Sequence, residues 1–210
     1  MKIKNPLLNI LGQIRIYSLI DLILFAYAIG SERSELIGIV LLHISFLFYL
    51  EYSHKHSYRL LIPKIIWVII GLAGIILYPK IAVAGYLITS FLYAKKNSPK
   101  LAPFSPFFRG AQSYFLAAGI VGFTNPIAFL TFGILAIRNF AGDVRDIEKD
   151  RKEKMRTLPI IFGMTGSYKR IHLIALLITS FVWWYLASIS ILWLFLIYLV
   201  QILVYDLTPR

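Results

Sequence analysis

The 210-residue chain contains no cysteine, and only 15% of its residues are charged. The absence of cysteine excludes disulfide bonds and thiolate catalysis. Charged residues make up roughly a quarter of a typical soluble domain, whereas 59% of this chain is hydrophobic and its mean hydropathy is +0.74. A membrane span needs about 20 largely apolar residues to cross a hydrocarbon layer about 30 Å thick. Several runs meet this requirement, so the composition predicts an all-α, polytopic membrane protein.

Eight candidate spans follow one another without a long linker, which predicts a single integral membrane domain over residues 1–210. The short segments YPK, FTNP and ASIS mark turns between neighbouring spans. The basic N-terminus lacks a small-residue cleavage site, so we expect no cleaved signal peptide. The expected spans start near Ile14, Leu36, Leu60, Ile81, Ala111, Pro126, Ile171 and Ile191.

The net charge is +12, with 22 Lys and Arg against 10 Asp and Glu. In a soluble protein this excess would suggest nucleic acid, but in a membrane protein the location of the charge decides its meaning. With the N-terminus in the cytoplasm, 20 of the 22 basic residues lie on the inner side, and only Arg33 and Lys80 lie outside. We therefore expect a multi-pass protein of the cell membrane, embedded in the lipid bilayer with both termini cytoplasmic and with no nucleic-acid partner.

The stretch GDVRDIEKDRKEKMRTLP, residues 142–159, carries Asp143, Asp146 and Asp150 at positions i, i+3 and i+7. On a helix these side chains fall within about 60° of one another, with Glu148 nearly opposite. Three such carboxylates repel one another unless a cation neutralises them. Mg²⁺ binds one or two carboxylates and completes its shell with water and phosphate oxygens. A metal and anion site is one interpretation of the spacing, and a solvated, salt-bridged helix end is the other.

The longer segment RNFAGDVRDIEKDRKEKMRTLPIIFG, residues 138–163, resembles the second aspartate-rich motif of the UbiA superfamily of intramembrane prenyltransferases. The family usually has glycine where this chain has Lys154. The resemblance implies a UbiA-like bundle of about eight spans here, Mg²⁺ at the three aspartates, and diphosphate binding by Arg138 and Arg151. The matching positions are Arg138, Asp143, Asp146, Asp150, Arg151 and Thr157-Leu158-Pro159.

The family's first aspartate-rich motif has a degenerate counterpart in LEYSHKHSYR, residues 50–59. Glu51, His54 and Tyr58 occupy its three aspartate positions, with the same spacing. Glu51 retains a carboxylate that can ligate Mg²⁺, whereas imidazole suits softer metals and a phenol is a poor ligand for Mg²⁺. His54 also fits an ordinary residue near the lipid headgroups. Family members usually have nine spans, so both the first motif and the span count depart from the family pattern.

Two further groups of residues are candidates for the site. The segment LYAKKNSPK resembles the family's segment of tyrosine and lysine after span four, which implies that Lys95, Lys96 and Lys100 contact the diphosphate. The excess of positive charge on the inner side explains the same lysines without a ligand. Asp21 lies inside span one, where a carboxylate usually faces a polar cavity or a partner group. A position close enough to the headgroups to be hydrated is the alternative for Asp21.

The resemblance implies a prenyltransferase that moves an isoprenyl group from an isoprenyl diphosphate to a lipophilic acceptor. Mg²⁺ would act at the cytoplasmic mouth of a membrane cavity. The alternative is a UbiA-like homologue that binds isoprenoid diphosphates, or assists a membrane partner, without turnover. A small transporter with Asp21 as its coupling site is a third interpretation, although the sequence shows no inverted repeat or pair of broken helices.

Overall fold

The computed structural model describes residues 12–54, 62–96 and 98–206, and every regular element within these ranges is a helix. The predicted all-α fold class is confirmed for this part of the chain. Its elements are α1 (Ile16–Ala28), α2 (Arg33–His54), α3 (Lys64–Leu77), α4 (Ala82–Ala94), a 3₁₀ helix (Ala102–Phe104), α5 (Ser105–Val121), α6 (Pro126–Arg145), α7 (Ile147–Lys152), α8 (Leu158–Ile161), α9 (Ile171–Ala187) and α10 (Ile191–Tyr205).

The eight long helices begin at or near the predicted starts of the eight spans. Helices α6, α9 and α10 begin at the predicted residues. The largest difference is at α5, which begins at Ser105 rather than near Ala111. Pro106 lies in the first turn of α5, where its fixed φ suits a helix start and its missing N–H has no consequence. The helix therefore starts within the polar segment that precedes the apolar run.

Two helices, α2 and α6, are long and apolar enough to cross a membrane, judged by length and composition. Helices α1, α3, α4, α9 and α10 are apolar but have only 10–17 residues, fewer than the roughly 20 of a typical span. Prolines limit the length of α3, because Pro63 precedes its first residue and Pro79 follows its end. Helices α2 and α6 are compatible with a membrane protein, and the complete eight-span topology stays a prediction.

The helices group into two compact units. Unit 1 contains Met1–Pro79 and Ser180–Arg210, and unit 2 contains Lys80–Thr179. Within unit 1, α2 packs closely on α3, since a Cβ added to Gly38 would lie 2.7 Å from the Cβ of Tyr78. Small residues permit such close approach of helices in membranes. Within unit 2, α5 packs against both α4 and α6. The single domain expected over residues 1–210 remains a prediction.

The loop after α7 contains Lys154 in the left-handed conformation, with φ 55°. A side chain with a Cβ is disfavoured there by roughly 1–2 kcal/mol, whereas glycine adopts this conformation freely. Lys154 stands where the motif that this segment resembles usually has glycine, and its backbone adopts a conformation that glycine favours.

We expect Lys154→Gly to leave the fold unchanged and to raise the unfolding temperature by about 1–3 °C, because relief of left-handed strain outweighs the added freedom of the unfolded chain. Thermal unfolding of the purified protein measures the shift. Gly163→Ala is the matched opposite change, since Gly163 has φ 77°, and it should lower the unfolding temperature. A loss of stability in Lys154→Gly would contradict the assigned backbone conformation.

Candidate functional site

Asp143 lies in the last turn of α6 and is buried. The Ser105 hydroxyl donates a hydrogen bond of 2.8 Å to Asp143 Oδ2. Ser105 is the first residue of α5 and is itself fully buried. The packing of α5 on α6 therefore places a hydroxyl donor at a carboxylate 38 residues further along the chain. A buried carboxylate needs such donors or a cation, because loss of its hydration is costly.

Asp150 lies in α7 and is also buried. The Thr157 hydroxyl donates a hydrogen bond of 3.2 Å to Asp150 Oδ2. The pKa of Asp150 is raised from its ordinary 3.8 to about 6, because burial and the Asp146 carboxylate raise it by more than Lys96, the Thr157 hydrogen bond and Lys149 lower it. The Asp150 carboxylate is thus held without full compensation of its charge, which favours binding of a cation.

Asp146 caps the C-terminal end of α6 and is only partly buried. Arg145 Nε donates a hydrogen bond of 2.7 Å to Asp146 Oδ1, and a second guanidinium nitrogen of Arg145 contacts Oδ2. Burial opposes ionisation of Asp146, but the hydrogen bond and charge of Arg145, with Lys96 and Lys149, leave its pKa below the ordinary value. Asp146 is therefore an ionised carboxylate already paired with a cation.

The Lys96 ammonium group interacts electrostatically with all three aspartates. Lys96 directly follows the C-terminal end of α4, and its Nζ lies 5.1 Å from the centre of the Tyr93 ring. The aspartates in turn repel one another. The three carboxylates and Lys96 thus form one electrostatic cluster in unit 2, which we call the aspartate cluster.

The three aspartates do not lie on one uninterrupted helix. Helix α6 ends at Arg145, Asp146 adopts φ −97° and ψ 8°, and α7 begins at Ile147. Glu148, which the spacing placed away from the aspartates, is exposed. With the helix interrupted at Asp146, Asp143 and Asp150 are buried, whereas the Asp146 carboxylate pairs with Arg145.

The two arginines predicted to bind a diphosphate differ in burial and in their hydrogen-bond partners. Arg138 is buried in α6 and donates a hydrogen bond of 3.1 Å to Thr179 Oγ1. Exposed Arg151 donates to the backbone carbonyl groups of Met164, at 2.6 Å, and Thr165, at 3.4 Å. Arg151 therefore supports the loop that follows α8, and its predicted role toward a diphosphate stays a prediction.

The lysines next to Lys96 point to solvent or to an aromatic ring. Lys95 Nζ lies 4.2 Å from the centre of the Phe91 ring, a distance typical of a cation–π contact. Lys100 is exposed. Among the three candidate lysines, Lys96 is the one that the structure brings to the aspartate cluster.

Sequence reasoning missed several polar residues beside the cluster. The Tyr93 hydroxyl donates a hydrogen bond of 3.1 Å to Asn139 Oδ1, and the Arg109 guanidinium lies 5.9 Å from the centre of the Tyr93 ring. Arg109 also donates to Gln112 at 2.7 Å, and Gln112 donates to Ser90 at 2.7 Å. The polar residues Arg109, Gln112 and Ser113 at the start of an apolar stretch were the available signal.

The segment compared with the first motif lies in unit 1, where its carboxylate pairs with an arginine. Glu51 is buried near the end of α2, and its Oε1 lies 3.3 Å from Arg15 Nη2. His54 is the last residue of α2 and is partly buried. Tyr58 lies outside the described residues. The ion pair gives Glu51 a structural role in addition to any role toward a metal.

Asp21 is buried in α1, a position in which a carboxylate usually faces polar partners. The Ser180 hydroxyl donates a hydrogen bond of 2.8 Å to Asp21 Oδ1. This contact lies within unit 1.

The described part of the chain contains no group of three or more His, Cys, Asp or Glu side chains close enough to hold one metal ion. The donor chemistry nevertheless fits Mg²⁺, because Asp143 and Asp150 are buried carboxylates that each receive one hydroxyl hydrogen bond. Mg²⁺ requires only one or two carboxylates, with water and phosphate oxygens completing its shell. Asp143 and Asp150 are the residues best suited to hold it.

The raised pKa of Asp150 predicts how stability depends on pH in protein treated with a chelator. A carboxyl group with a pKa of 3.8 in the unfolded chain and about 6 in the folded chain favours folding at low pH, and this contribution is lost as pH rises through about 6. Asp150→Asn should therefore increase the free energy of unfolding by about 1–3 kcal/mol near neutral pH. Denaturation at a series of pH values measures the difference.

Near pH 4 the advantage of Asp150→Asn over the wild type should largely disappear, because the wild-type carboxyl group is then protonated. Glu148→Gln is the matched control, since Glu148 is exposed on the same helix. Equal pH profiles for the two variants would contradict the raised pKa of Asp150.

No protein-family model, curated protein or solved structure matches the chain in the comparisons made.

Proposed function

We propose that this protein is a UbiA-like intramembrane prenyltransferase. It would bind an isoprenyl diphosphate with Mg²⁺ at the cytoplasmic side of the membrane and transfer the isoprenyl group to a lipophilic acceptor. The observation that carries the proposal is the aspartate cluster, in which buried Asp143 and Asp150 share the charge of Lys96. A motif that resembles a metal and diphosphate site thus has buried, incompletely neutralised carboxylates rather than a solvated surface.

The protein's own residues have distinct roles in this proposal. Ser105 and Thr157 orient the carboxylates of Asp143 and Asp150 through their hydrogen bonds. Lys96 supplies a point charge for the diphosphate, and Arg109 supplies a planar group that suits phosphate oxygens. A bound Mg²⁺ ion would offset the negative charge that develops on the departing diphosphate.

A membrane location is supported by the outward faces of two helices. Helices α3 and α10 each expose large apolar side chains at helical spacing, so that one stripe of each helix faces outward. Contiguous apolar surface of this kind marks an interaction with lipid or protein. Side chains more than half exposed on these stripes include Ile65, Ile69, Ile76, Leu192, Phe195 and Leu203.

The proposed topology predicts the outcome of reporter fusions. Because only two of the 22 basic residues lie on the outer side in this orientation, fusions placed after Arg33 and after Lys80 should report an external location. A fusion within the basic segment 149–156 should report the cytoplasm and serves as the control. A cytoplasmic signal from either outer fusion would contradict the eight-span topology.

A second candidate function is supported by the ion pair between Glu51 and Arg15. A carboxylate engaged in this way is less available to a metal, and His54 does not replace the missing carboxylate. This observation favours a protein that binds an isoprenoid diphosphate through the aspartate cluster, or assists a membrane partner, without turnover.

Mg²⁺-dependent thermal stabilisation by an isoprenyl diphosphate tests the binding step that both functions share. We expect stabilisation only when both ligands are present, since the diphosphate supplies ligands to the metal and the metal neutralises the diphosphate. Inorganic diphosphate with Mg²⁺ separates headgroup recognition from recognition of the apolar tail. The absence of any Mg²⁺-dependent shift would reject the enzyme and the diphosphate-binding protein, and would leave a protein that assists a membrane partner, or a transporter.

A further inference from the structure

The Tyr93 ring lies next to two cationic side chains in unit 2. Tyr93 is in the last turn of α4 and is 5% exposed. Lys96 Nζ lies 5.1 Å from the centre of its ring, and the Arg109 guanidinium carbon lies 5.9 Å from the same centre. Both distances are within the roughly 6 Å over which a cation is attracted to the face of an aromatic ring. One tyrosine therefore contacts a cation from each of two chain segments.

Hydrogen bonds fix the orientation of this ring and of the guanidinium group. Tyr93 OH donates at 3.1 Å to Asn139 Oδ1 on α6, so the ring is held at its hydroxyl end as well as at its backbone. Arg109 Nη1 donates to Gln112 Oε1 at 2.7 Å, and Gln112 Nε2 donates to Ser90 Oγ at 2.7 Å. Helices α4, α5 and α6 thus hold the ring and the guanidinium group in one arrangement.

An aromatic ring holds a cation differently from a carboxylate. The attraction comes from the electron-rich face of the ring, which has no net charge, so the cation keeps its positive charge. An ion pair with a carboxylate would cancel that charge and reduce the attraction for an anion. Lysine and arginine side chains also lose much conformational freedom when a ligand orders them, and a ring that has already ordered them lowers this cost. A ring contact therefore suits a cation that must bind an anionic ligand.

The contact between Lys96 and the ring gains importance when a metal binds. The Lys96 ammonium group interacts electrostatically with the three carboxylates of the aspartate cluster. A divalent cation at these carboxylates would neutralise them and repel the ammonium group. The face of the Tyr93 ring has no net charge for the metal to neutralise, so its attraction for Lys96 persists. The ring can therefore keep Lys96 close to a metal-loaded cluster.

We propose that Tyr93 is a positioning residue for the diphosphate, an inference that rests on the proposed function. Its ring holds the Lys96 ammonium and the Arg109 guanidinium groups, and both then bind phosphate oxygens of a diphosphate that Mg²⁺ coordinates. Tyr93 acts through these two cations and does not contact the reacting atoms. Its effect is on the affinity for the diphosphate headgroup, and the apolar tail of the substrate has no part in it.

Fluorinated phenylalanines at position 93 test the ring contact with almost no change of packing. Fluorine withdraws electrons from the ring face and weakens its attraction for a cation, whereas the ring keeps nearly the same size. Isothermal titration measures binding of inorganic diphosphate with Mg²⁺ to Tyr93→Phe and to its mono-, di- and trifluorinated derivatives. We expect the dissociation constant to rise with each fluorine, to about 10-fold in the trifluorinated protein, since two cation–π contacts are weakened.

Two further variants separate the ring face from other effects. Tyr93→Phe should bind diphosphate within about 3-fold of the wild type, because it keeps the ring and loses only the hydrogen bond to Asn139. Phe91→Leu is the matched control. It removes a cation–π contact from the same helix, but the cation is Lys95, which does not belong to the aspartate cluster. We expect its affinity for diphosphate to equal that of the wild type.

The outcomes distinguish this inference from the proposed function. Equal affinities across the fluorinated series, in a protein that binds diphosphate with Mg²⁺, would overturn the role of Tyr93 alone. A loss in Phe91→Leu as large as that in the trifluorinated protein would do the same. Wild-type protein that binds an isoprenyl diphosphate but not inorganic diphosphate would also overturn this role and leave the proposed function. Mg²⁺-dependent binding of neither ligand would overturn both.

Discussion

Replacing Asp143 with asparagine should weaken Mg²⁺-dependent binding of an isoprenyl diphosphate by about 10- to 100-fold, the usual effect of losing a metal ligand or its orienting partner. Asparagine retains the size of the side chain and can still accept the hydrogen bond from Ser105. The variant therefore removes the charge while it keeps the packing of α5 on α6. Isothermal titration with Mg²⁺ at a saturating concentration of the diphosphate measures the affinity.

Glu148→Gln is the matched control for Asp143→Asn. Both changes remove one negative charge from the segment of residues 142–159, but Glu148 is exposed and Asp143 is buried. We expect Glu148→Gln to change the affinity by less than about 2-fold, because exposed charges are screened by solvent and salt. Similar losses in the two variants would favour a solvated, salt-bridged helix end over a metal site.

Replacing Glu51 with glutamine should abolish prenyl transfer, with a loss of about 100-fold or more, since a single charged group at a reacting centre commonly contributes this much. Glu51 is the one carboxylate among Glu51, His54 and Tyr58, the positions compared with the family's first motif. His54→Asp should raise the rate, because it adds a carboxylate one helical turn from Glu51, at the end of α2. Product formation from labelled isoprenyl diphosphate measures both effects.

The ion pair with Arg15 provides the control for Glu51. Arg15→Gln breaks the same pair but keeps the Glu51 carboxylate. If Glu51 only stabilises the fold, the two variants should lower the unfolding temperature by similar amounts and lose transfer in parallel. If Glu51 acts in the reaction, Glu51→Gln should lose far more transfer than its stability accounts for. Undiminished transfer in Glu51→Gln would show that the first motif has no part in the reaction.

The helix starts could be predicted from the sequence because their signals are local. Asn125 caps α6, where its side chain accepts from the Ile127 N–H at 2.9 Å, and Pro126 occupies the first helical position. Ser190, in the ASIS segment, caps α10 in the same way. The lengths of the helices were harder to predict, since apolar residues continue past the proline-bounded ends of α3.

The aspartate cluster could be predicted only in part. The spacing of its carboxylates is local, but the bond from Ser105 to Asp143 joins residues 38 positions apart and depends on how α5 packs against α6. The contacts of Arg151 were not predictable either, and the role at the diphosphate that its place in the motif implies stays a prediction. An exposed guanidinium group bonds to the nearest acceptors, here the carbonyl groups of Met164 and Thr165. The spacing of residues in a sequence cannot reveal which acceptors an arginine side chain reaches.

Formation of a prenylated product by the purified protein is the most direct test of the central claim. The assay combines Mg²⁺, isoprenyl diphosphates of several chain lengths and extracted lipid as a source of lipophilic acceptors. We predict a product that requires Mg²⁺ and is lost in Asp143→Asn. Tight, Mg²⁺-dependent binding of the diphosphates without product, across all chain lengths and acceptors, would contradict the enzyme and leave the binding function.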